Sequence, residues 1–174
     1  RLPRHLSLLL RQANRSRALL FSTKSNRRMI VPKKESKKAG ANKSRLYKHK
    51  KNFAWHGIKT EKYKPKGGDW ADIVRRVIVG NKGETARFHL RYFEISPGGH
   101  SSFEKHRHEH AVICVRGKGK VLTGKKMNTL DFLDTLYIAP DTSHQLSNPF
   151  DEPFGFFCIV NAKRDKPKIL SKAK

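Results

Sequence analysis

Between residues 74 and 160, apolar residues recur in short runs in which polar and apolar positions often alternate. Successive side chains of a β-strand point to opposite faces, so such runs indicate strands with a buried face. Glycine, proline, asparagine and aspartate separate the runs, and no convincing helical pattern lies between them. Seven short strands at close intervals predict an all-β fold, either an antiparallel barrel or a sandwich. The predicted strands are residues 74–79, 87–95, 102–106, 111–116, 120–123, 135–138 and 154–160.

The 174-residue chain carries a net charge of +25, which is divided unevenly along its length. Residues 1–66 contain 21 Lys and Arg against two acids, a net +19, whereas residues 67–162 are almost neutral at +1. Residues 163–174 add a further +5. This division predicts four parts, namely a basic extension (1–54), a wrap segment (55–70), the β-barrel (71–162) and a basic C-terminal tail (163–174).

The first 22 residues contain five arginines and no acid, a composition typical of a mitochondrial or plastid presequence. Leu6, Leu9, Leu10 and Ala13 have helical spacing, which predicts a short amphipathic helix. The segment is interpreted either as a presequence or as an arm that binds RNA. On this basis we predict that the protein lies in the mitochondrial matrix.

The basic extension predicts binding to a polyanion, because neutralising phosphates with Lys and Arg releases counterions. Structured RNA is favoured over DNA, since no helix-turn-helix, zinc-finger or leucine-zipper pattern is found in the sequence. Aromatic rings interleaved with the charges, at Tyr47, His49, Phe53, Trp55, His56 and Tyr63, are expected to stack on unpaired bases. The predicted phosphate contacts are Arg11, Arg15, Arg17, Lys33, Lys34, Lys37, Lys38, Lys43, Arg45, Lys48, Lys50 and Lys51.

Five of the nine histidines lie between residues 97 and 148, and three of them fall in one dense polar cluster. In an extended strand Glu104, His106, His108 and His110 would share one face. A straight strand would separate the first and last by about 20 Å, so the chain must turn for them to meet. A turn at residues 107–109 would place His106 beside His110 and expose His108 to solvent. A second register, with His106, His108 and His110 as ligands, remains open.

Two sequence motifs resemble those of a single-domain cupin, a small jelly-roll barrel that holds one metal ion. They are PGGHSSFEKHRHEHAVICVRGKGKV and DTLYIAPDTSHQLSN. The resemblance implies Glu104 and His106 as the first ligand pair, His110 as the third ligand and His144 as the fourth. Imidazole and carboxylate groups suit a single divalent ion such as zinc, iron or manganese. We therefore expect one such ion as the cofactor, its identity being left open.

Three positions depart from the usual cupin pattern. Glu104 stands where a histidine is usual, and Leu133 and Asp141 stand where glycine is usual. Two other features receive ordinary structural interpretations. Cys114 and Cys158 lie in apolar runs and are predicted to be buried, reduced thiols. The neighbouring charges at positions 164 and 165, an arginine and an aspartate, are expected to form a local turn or ion pair.

Two functions of different classes fit the sequence. The favoured one is a structural component of a large ribonucleoprotein, the mitochondrial ribosome, with basic arms on ribosomal RNA and the barrel as a docking domain. Its partners would be ribosomal RNA and neighbouring ribosomal proteins, with no membrane and no small-molecule substrate. The alternative is a metal-dependent cupin enzyme, of dioxygenase or isomerase type, imported into an organelle. The sequence leaves enzymatic activity undecided and favours its absence.

Overall fold

The computed structural model describes residues 43–64 and 69–171. The predicted N-terminal helix and seven of the predicted phosphate contacts, from Arg11 to Lys38, lie outside the described residues. The described part of the chain is entirely strands, turns and extended segments. Its strands, in chain order, are β1 (His49–Lys50), β2 (Ala54–Trp55), β3 (Glu61–Lys62), β4 (Ala71–Val79), β5 (Phe88–His100), β6 (Glu104–Lys105), β7 (His110–Arg116), β8 (Gly119–Thr123), β9 (Lys126–Leu130), β10 (Thr135–Ile138), β11 (His144–Ser147), β12 (Phe154–Asn161) and β13 (Lys168–Ile169).

The strands form an antiparallel jelly-roll barrel, as the sequence predicts. One layer has the order β10-β7-β12-β5-β4-β3, and the other joins β9, β8, β11, β6 and β13. The long strand β5 belongs to both layers, because its body pairs with β12 and β4 while His100 at its end pairs with Ser147 of β11. The all-β prediction is therefore confirmed. Within the described ranges the structure contains no helix with the length and apolarity needed to span a bilayer.

Each of the seven predicted strands overlaps an observed one, and the strand at Thr135–Ile138 has the predicted limits. Two longer strands were not predicted. β9 reads KMNTL and its side chains are mostly exposed, so it lacks the alternation that signals a half-buried strand. β11 reads HQLS, and its first three residues are all buried. A strand whose polar residues are buried gives no hydrophobic signal, which explains its omission.

The interior of the barrel is filled by residues that share one parity on each strand. Phe93 and Ile95 of β5 lie opposite Phe156 and Phe154 of β12, and the Phe93 and Phe156 rings stack with centroids 5.5 Å apart. Burial of this cluster supplies the main apolar driving force for closing the barrel. It also fixes which residues point inward at the open end, where the polar cavity begins.

A second cluster covers the outer face of the same sheet. Trp55 and Tyr92 are its buried rings, and Phe53 stacks on Tyr92 with ring centroids 5.4 Å apart. Tyr47 and Ile58 pack against this cluster from the same N-terminal segment. These aromatic rings are used to pack residues 47–58 onto the barrel. For Tyr47, Phe53 and Trp55 the expectation that they stack on bases is wrong for this reason, and Tyr63 likewise packs against the interior cluster. His49 and His56 are exposed, and their expected stacking is not tested.

Two turns keep a backbone conformation that normally requires glycine. Leu133 has φ of 69° and Asp141 has φ of 57°, both in the left-handed region. These are the positions where the resemblance leads one to expect glycine. A side chain with a β-carbon costs about 1–2 kcal/mol in this region, so the fold retains the turns at some cost in stability.

Candidate metal centre and cavity

Three histidines meet at one end of the barrel interior. His110 begins β7, His144 begins β11, and His106 lies in the bend between β6 and β7. Ring centroids are 4.5 Å apart for His106 and His110 and 4.8 Å apart for His106 and His144. One nitrogen from each ring lies within 4.8 Å of the others, and all three residues are buried. The geometry suits three imidazole ligands of one ion.

Backbone carbonyls fix the proton on two of these rings. The Nδ1 atom of His106 lies 2.7 Å from the carbonyl oxygen of His108, and that of His144 lies 2.9 Å from the oxygen of Thr142. A carbonyl oxygen only accepts, so each Nδ1 carries the proton and donates it. Each Nε2 is then left with a free lone pair, which is the form that binds a metal ion.

The third ring is oriented by a thiol. Cys158 Sγ lies 3.4 Å from His110 Nδ1 and accepts a hydrogen bond of 3.2 Å from the Arg91 guanidinium. Among the described residues, neither His106 Nε2 nor His110 Nε2 has a hydrogen-bond partner, although both atoms are buried. An unpaired buried polar atom is costly, and a metal ion at this point would satisfy both nitrogens. The residues present therefore fit a divalent metal.

Burial lowers the pKa of all three imidazoles. Desolvation is the largest cause for His106, His110 and His144, and the positive charge of Arg91 lowers the pKa of His110 further. The neutral form of each ring is therefore favoured near pH 7. Because a metal binds the neutral ring, the site is already in the protonation state that coordination requires.

Glu104, which with His106 was predicted to form the first ligand pair, lies outside this group of three. Its carboxylate forms a salt bridge with Lys64 Nζ, which also donates a hydrogen bond of 3.1 Å to Ser102 Oγ. Its backbone pairs with that of His144 between β6 and β11, so it lines the same cavity. Its role as a metal ligand stays a prediction. Sequence patterning could not reveal the competing partner, since Lys64 is 40 residues away.

His108 is buried, contrary to the expectation that it faces solvent. Only 8% of its surface is exposed, and its ring stacks on His106 with centroids 3.6 Å apart. Its Nδ1 donates to the Asp165 carboxylate at 2.7 Å, and the backbone N–H of Arg107 donates to the same carboxylate at 3.0 Å. The local ion pair expected at positions 164 and 165 is therefore wrong, because the Asp165 carboxylate binds His108 and the backbone of Arg107 instead.

A cavity of about 230 Å³ opens beside the three histidines. Three arginines line it, namely Arg75, Arg91 and Arg164. None of them was predicted from the sequence to lie at the site, and Arg164 was expected only in a local turn or ion pair. A sequence signal for one of them exists, because Arg91 is in phase with the inward-facing Phe93 and Ile95 on β5. The cavity thus combines a metal-binding group with a strongly basic wall.

The predicted phosphate contacts that fall in the described residues lie on the N-terminal segment. Lys43, Arg45, Lys48, Lys50 and Lys51 are all exposed, and none of them lines the cavity. The Arg45 guanidinium donates to the carbonyl oxygen of Lys82 at 2.8 Å, which ties the segment to the barrel. This arrangement does not test whether these residues contact phosphate groups.

Comparison with known proteins identifies relatives of the barrel. The model of the family described as "Cupin domain" matches residues 91–160. A 1-methylthio-D-xylulose 5-phosphate methylsulfurylase of Rhodospirillum rubrum is 37% identical over 122 residues, which span 70% of this chain and 77% of the relative. Residues 91–160, which the family model matches, include the histidine cluster described above.

Solved structures agree with this relationship. A cupin-2 domain protein from Rhodospirillum rubrum is 33% identical, with a TM-score of 0.63 over 74% of this chain and 84% of that one. A cupin-2 conserved barrel protein from Rhodopseudomonas palustris is 31% identical, with a TM-score of 0.67 over 73% of this chain and 87% of that one.

These relationships overturn the prediction of a ribosomal protein. The curated relative is an enzyme that acts on a small molecule. The predicted function as an rRNA-binding component of the mitochondrial ribosome is therefore wrong, and so are ribosomal RNA and ribosomal proteins as partners. The predicted location in the mitochondrial matrix is not tested. Charge misled the prediction because a basic extension reports affinity for anions without identifying the function of the domain it precedes. The barrel topology, the three histidines and the relatives together show that this chain belongs to the cupin family as a single cupin-2 domain.

Proposed function

We propose that the protein is a metal-dependent enzyme that acts on a small phosphorylated sugar derivative inside the barrel. The observation that carries this proposal is the pair of buried, unpaired Nε2 atoms of His106 and His110, which lie with His144 at the cavity wall. An ordinary packed interior would leave no such atoms without partners. A cavity beside a metal-binding group is the usual setting for small-molecule chemistry.

His106, His110 and His144 would hold the ion, which would act as a Lewis acid on a substrate oxygen. The backbone carbonyls of His108 and Thr142 keep two of these rings in the binding tautomer. Glu104 and Lys64, joined in a salt bridge at the cavity wall, offer an acceptor and a donor to substrate hydroxyl groups. Apolar residues such as Ile73 and Phe156 close the inner end of the cavity and exclude water from it.

The substrate class is supported by the curated relative, which acts on 1-methylthio-D-xylulose 5-phosphate. Identity of 37% over most of both chains makes a related thio-sugar phosphate the first compound to test. The small cavity and its basic wall suit a compact, negatively charged metabolite. Long polymers would not fit within about 230 Å³.

The test uses the full chain purified without chelators. Bound metals are measured by mass spectrometry, and consumption of 1-methylthio-D-xylulose 5-phosphate is followed with a small thiol supplied as acceptor for the methylthio group. We expect about one divalent ion per chain and turnover that chelation abolishes and metal restores. Absence of both bound metal and turnover, in protein shown to be folded, would contradict the proposal.

A further inference from the structure

Three guanidinium groups approach the cavity from three separate elements. Arg75 lies on β4, Arg91 on β5, and Arg164 in the segment that follows β12. Arg75 and Arg91 are in phase with the inward residues Ile73 and Phe93, so their side chains point into the barrel. Arginines at these positions replace the apolar residues that would otherwise complete the core.

Two of these arginines have no acidic partner in the described ranges. Arg75 forms a salt bridge of 2.7 Å with Glu61. Arg91 donates only to Cys158 Sγ, and its Nε is buried without a partner. Arg164 donates to the carbonyl oxygen of Asn161 at 3.2 Å and approaches His89 Nδ1 at 3.3 Å. The cavity wall therefore carries an excess of positive charge.

The arginines are close enough to repel one another. Burial lowers the pKa of Arg164, and the charges of Arg91 and Arg75 lower it further. Arginine nevertheless keeps its proton in proteins, so the repulsion persists at neutral pH. A group of positive charges that is partly buried is stabilised when an anion binds between them. Planar guanidinium groups bind phosphate through paired hydrogen bonds, which makes phosphate the fitting anion.

We propose that Arg91 and Arg164 form the subsite for the phosphate group of the substrate, with Arg75 at its margin. This inference rests on the proposed function, because it takes the bound phosphate to be part of the substrate that also contacts the three histidines. The two sites are joined by a short path. The Cys158 sulfur lies 3.2 Å from the Arg91 guanidinium and 3.4 Å from His110 Nδ1. A compact sugar phosphate would therefore be held by its phosphate while its carbon chain extends toward the three histidines.

Calorimetric titration of the full chain with ribose 5-phosphate, ribose and inorganic phosphate tests the subsite. The protein is first treated with a chelator, so that metal binding and turnover do not affect the result. The variants are Arg164→Gln and Arg91→Gln. Lys163→Gln is the matched control, because Lys163 is exposed and adjacent and its replacement removes the same charge. A thermal unfolding curve for each variant establishes that it is folded.

We expect ribose 5-phosphate to bind at least about tenfold more tightly than ribose. Arg164→Gln and Arg91→Gln should each lower the affinity for ribose 5-phosphate by about tenfold or more, while Lys163→Gln changes this affinity by less than about twofold. The same two substitutions should also lower the affinity for inorganic phosphate. If Arg91→Gln does not fold, Arg164→Gln decides alone, because Arg164 lies outside the strands of the barrel.

Equal affinities for ribose 5-phosphate in Arg164→Gln and Lys163→Gln would overturn the subsite, since binding would then follow net charge alone. The outcomes also separate the two proposals. Loss of phosphate binding in Arg164→Gln without any metal or turnover in the wild type would keep the subsite and reject the enzyme. Turnover of a thio-sugar phosphate with an unchanged KM in Arg164→Gln would keep the enzyme and reject the subsite.

Discussion

The two faces of the sheet formed by β4, β5, β12 and β7 differ in how their buried groups are satisfied. On the outer face, Trp55, Phe53 and Tyr92 pack against one another as apolar rings. On the inner face, beyond the apolar core, His110 has a buried nitrogen with no partner and Arg91 lacks a carboxylate within the described residues. The buried groups of the outer face are stabilised by packing, whereas at one end of the inner face buried polar groups have no partner in the described residues.

The difference separates stability from function along a single strand. Neighbouring residues of β5 alternate between the faces, so Tyr92 serves the outer cluster while Arg91 and Phe93 face the interior. Substitutions on the outer face should change the free energy of unfolding without altering the site. Substitutions of site residues should change ligand binding with much smaller effects on unfolding.

The largest effect is expected from Trp55→Ala. Trp55 is 9% exposed and contacts both Tyr92 and Phe157, so truncation leaves a large gap in the outer cluster. We expect a loss of about 4 kcal/mol in the free energy of unfolding, measured by urea denaturation. Metal affinity of the folded variant should stay within about twofold of wild type. Tyr137→Ala, at a site 64% exposed, is the control and should change stability by no more than about 0.5 kcal/mol. A similar loss in both variants would show that the outer cluster is not a specific packing unit.

His106→Ala should have the reverse profile. Removing one of three imidazole ligands should weaken metal binding by about 100-fold or more, measured by competition with a chromophoric chelator. The chelator-treated variant should lose far less stability than Trp55→Ala, because His106 packs mainly on other histidines. His56→Ala removes an exposed histidine from the N-terminal segment and should leave metal affinity unchanged. Full metal affinity in His106→Ala would exclude the three-histidine site.

A smaller effect concerns the stability that the Glu84 carboxylate confers by holding Tyr47 of the N-terminal segment. Burial raises the pKa of Glu84, but hydrogen bonds from Tyr47 Oη and the backbone N–H groups of Lys82 and Gly80 outweigh it and lower the pKa to about 2. A lowered folded-state pKa stabilises the protein above the unfolded value of about 4.3, and this contribution is lost as pH falls toward 2. Because Glu84 is only partly buried, screening by solvent should keep the contribution below about 1 kcal/mol.

Glu84→Gln should therefore reduce the stability difference between pH 5 and pH 2, measured by urea denaturation at each pH. Glu109→Gln is the control, since Glu109 is exposed and forms no hydrogen bond with Tyr47. The same pH dependence in wild type and Glu84→Gln would refute the assigned role of the carboxylate in holding Tyr47.

The smallest effect belongs to a turn that serves neither face. Leu133 is 63% exposed and has φ of 69°, so Leu133→Gly relieves left-handed strain while adding chain entropy to the unfolded state. The balance should be a gain of about 0.5 kcal/mol, visible as a slightly higher Tm. Phe132→Gly, equally exposed and without positive φ, should lose stability instead. A loss in both variants would mean that the Leu133 side chain stabilises the turn.

Strands with one buried face were predictable from sequence, and strands without one were not. β7 alternates between the inward His110, Val112 and Cys114 and the outward residues between them, so its pattern was clear. β11 was missed because its buried residues include His144 and Gln145, whose polarity indicates a loop. The reversal that brings His106 to His110 followed from parity and reach. The burial of His108 did not, because its partner Asp165 is 57 residues away.

The aromatic residues of the basic extension show how composition can mislead. Tyr47, Phe53 and Trp55 lie among lysines, which made nucleic acid the natural partner in a reading of sequence alone. In the structure they form the cover of the barrel's outer face. An exposed ring for stacking and a buried ring for packing have the same sequence signature, since both are aromatic residues flanked by charges.

The sequence by itself determined the barrel and the presence of a histidine cluster, because strand alternation and local spacing depend only on neighbouring residues. Tertiary structure decided which groups the cluster would contain. It paired Glu104 with Lys64, buried His108 against Asp165, and brought Arg91 and Arg164 to the same cavity. Such choices depend on contacts between residues tens of positions apart, and only the closed barrel establishes those contacts.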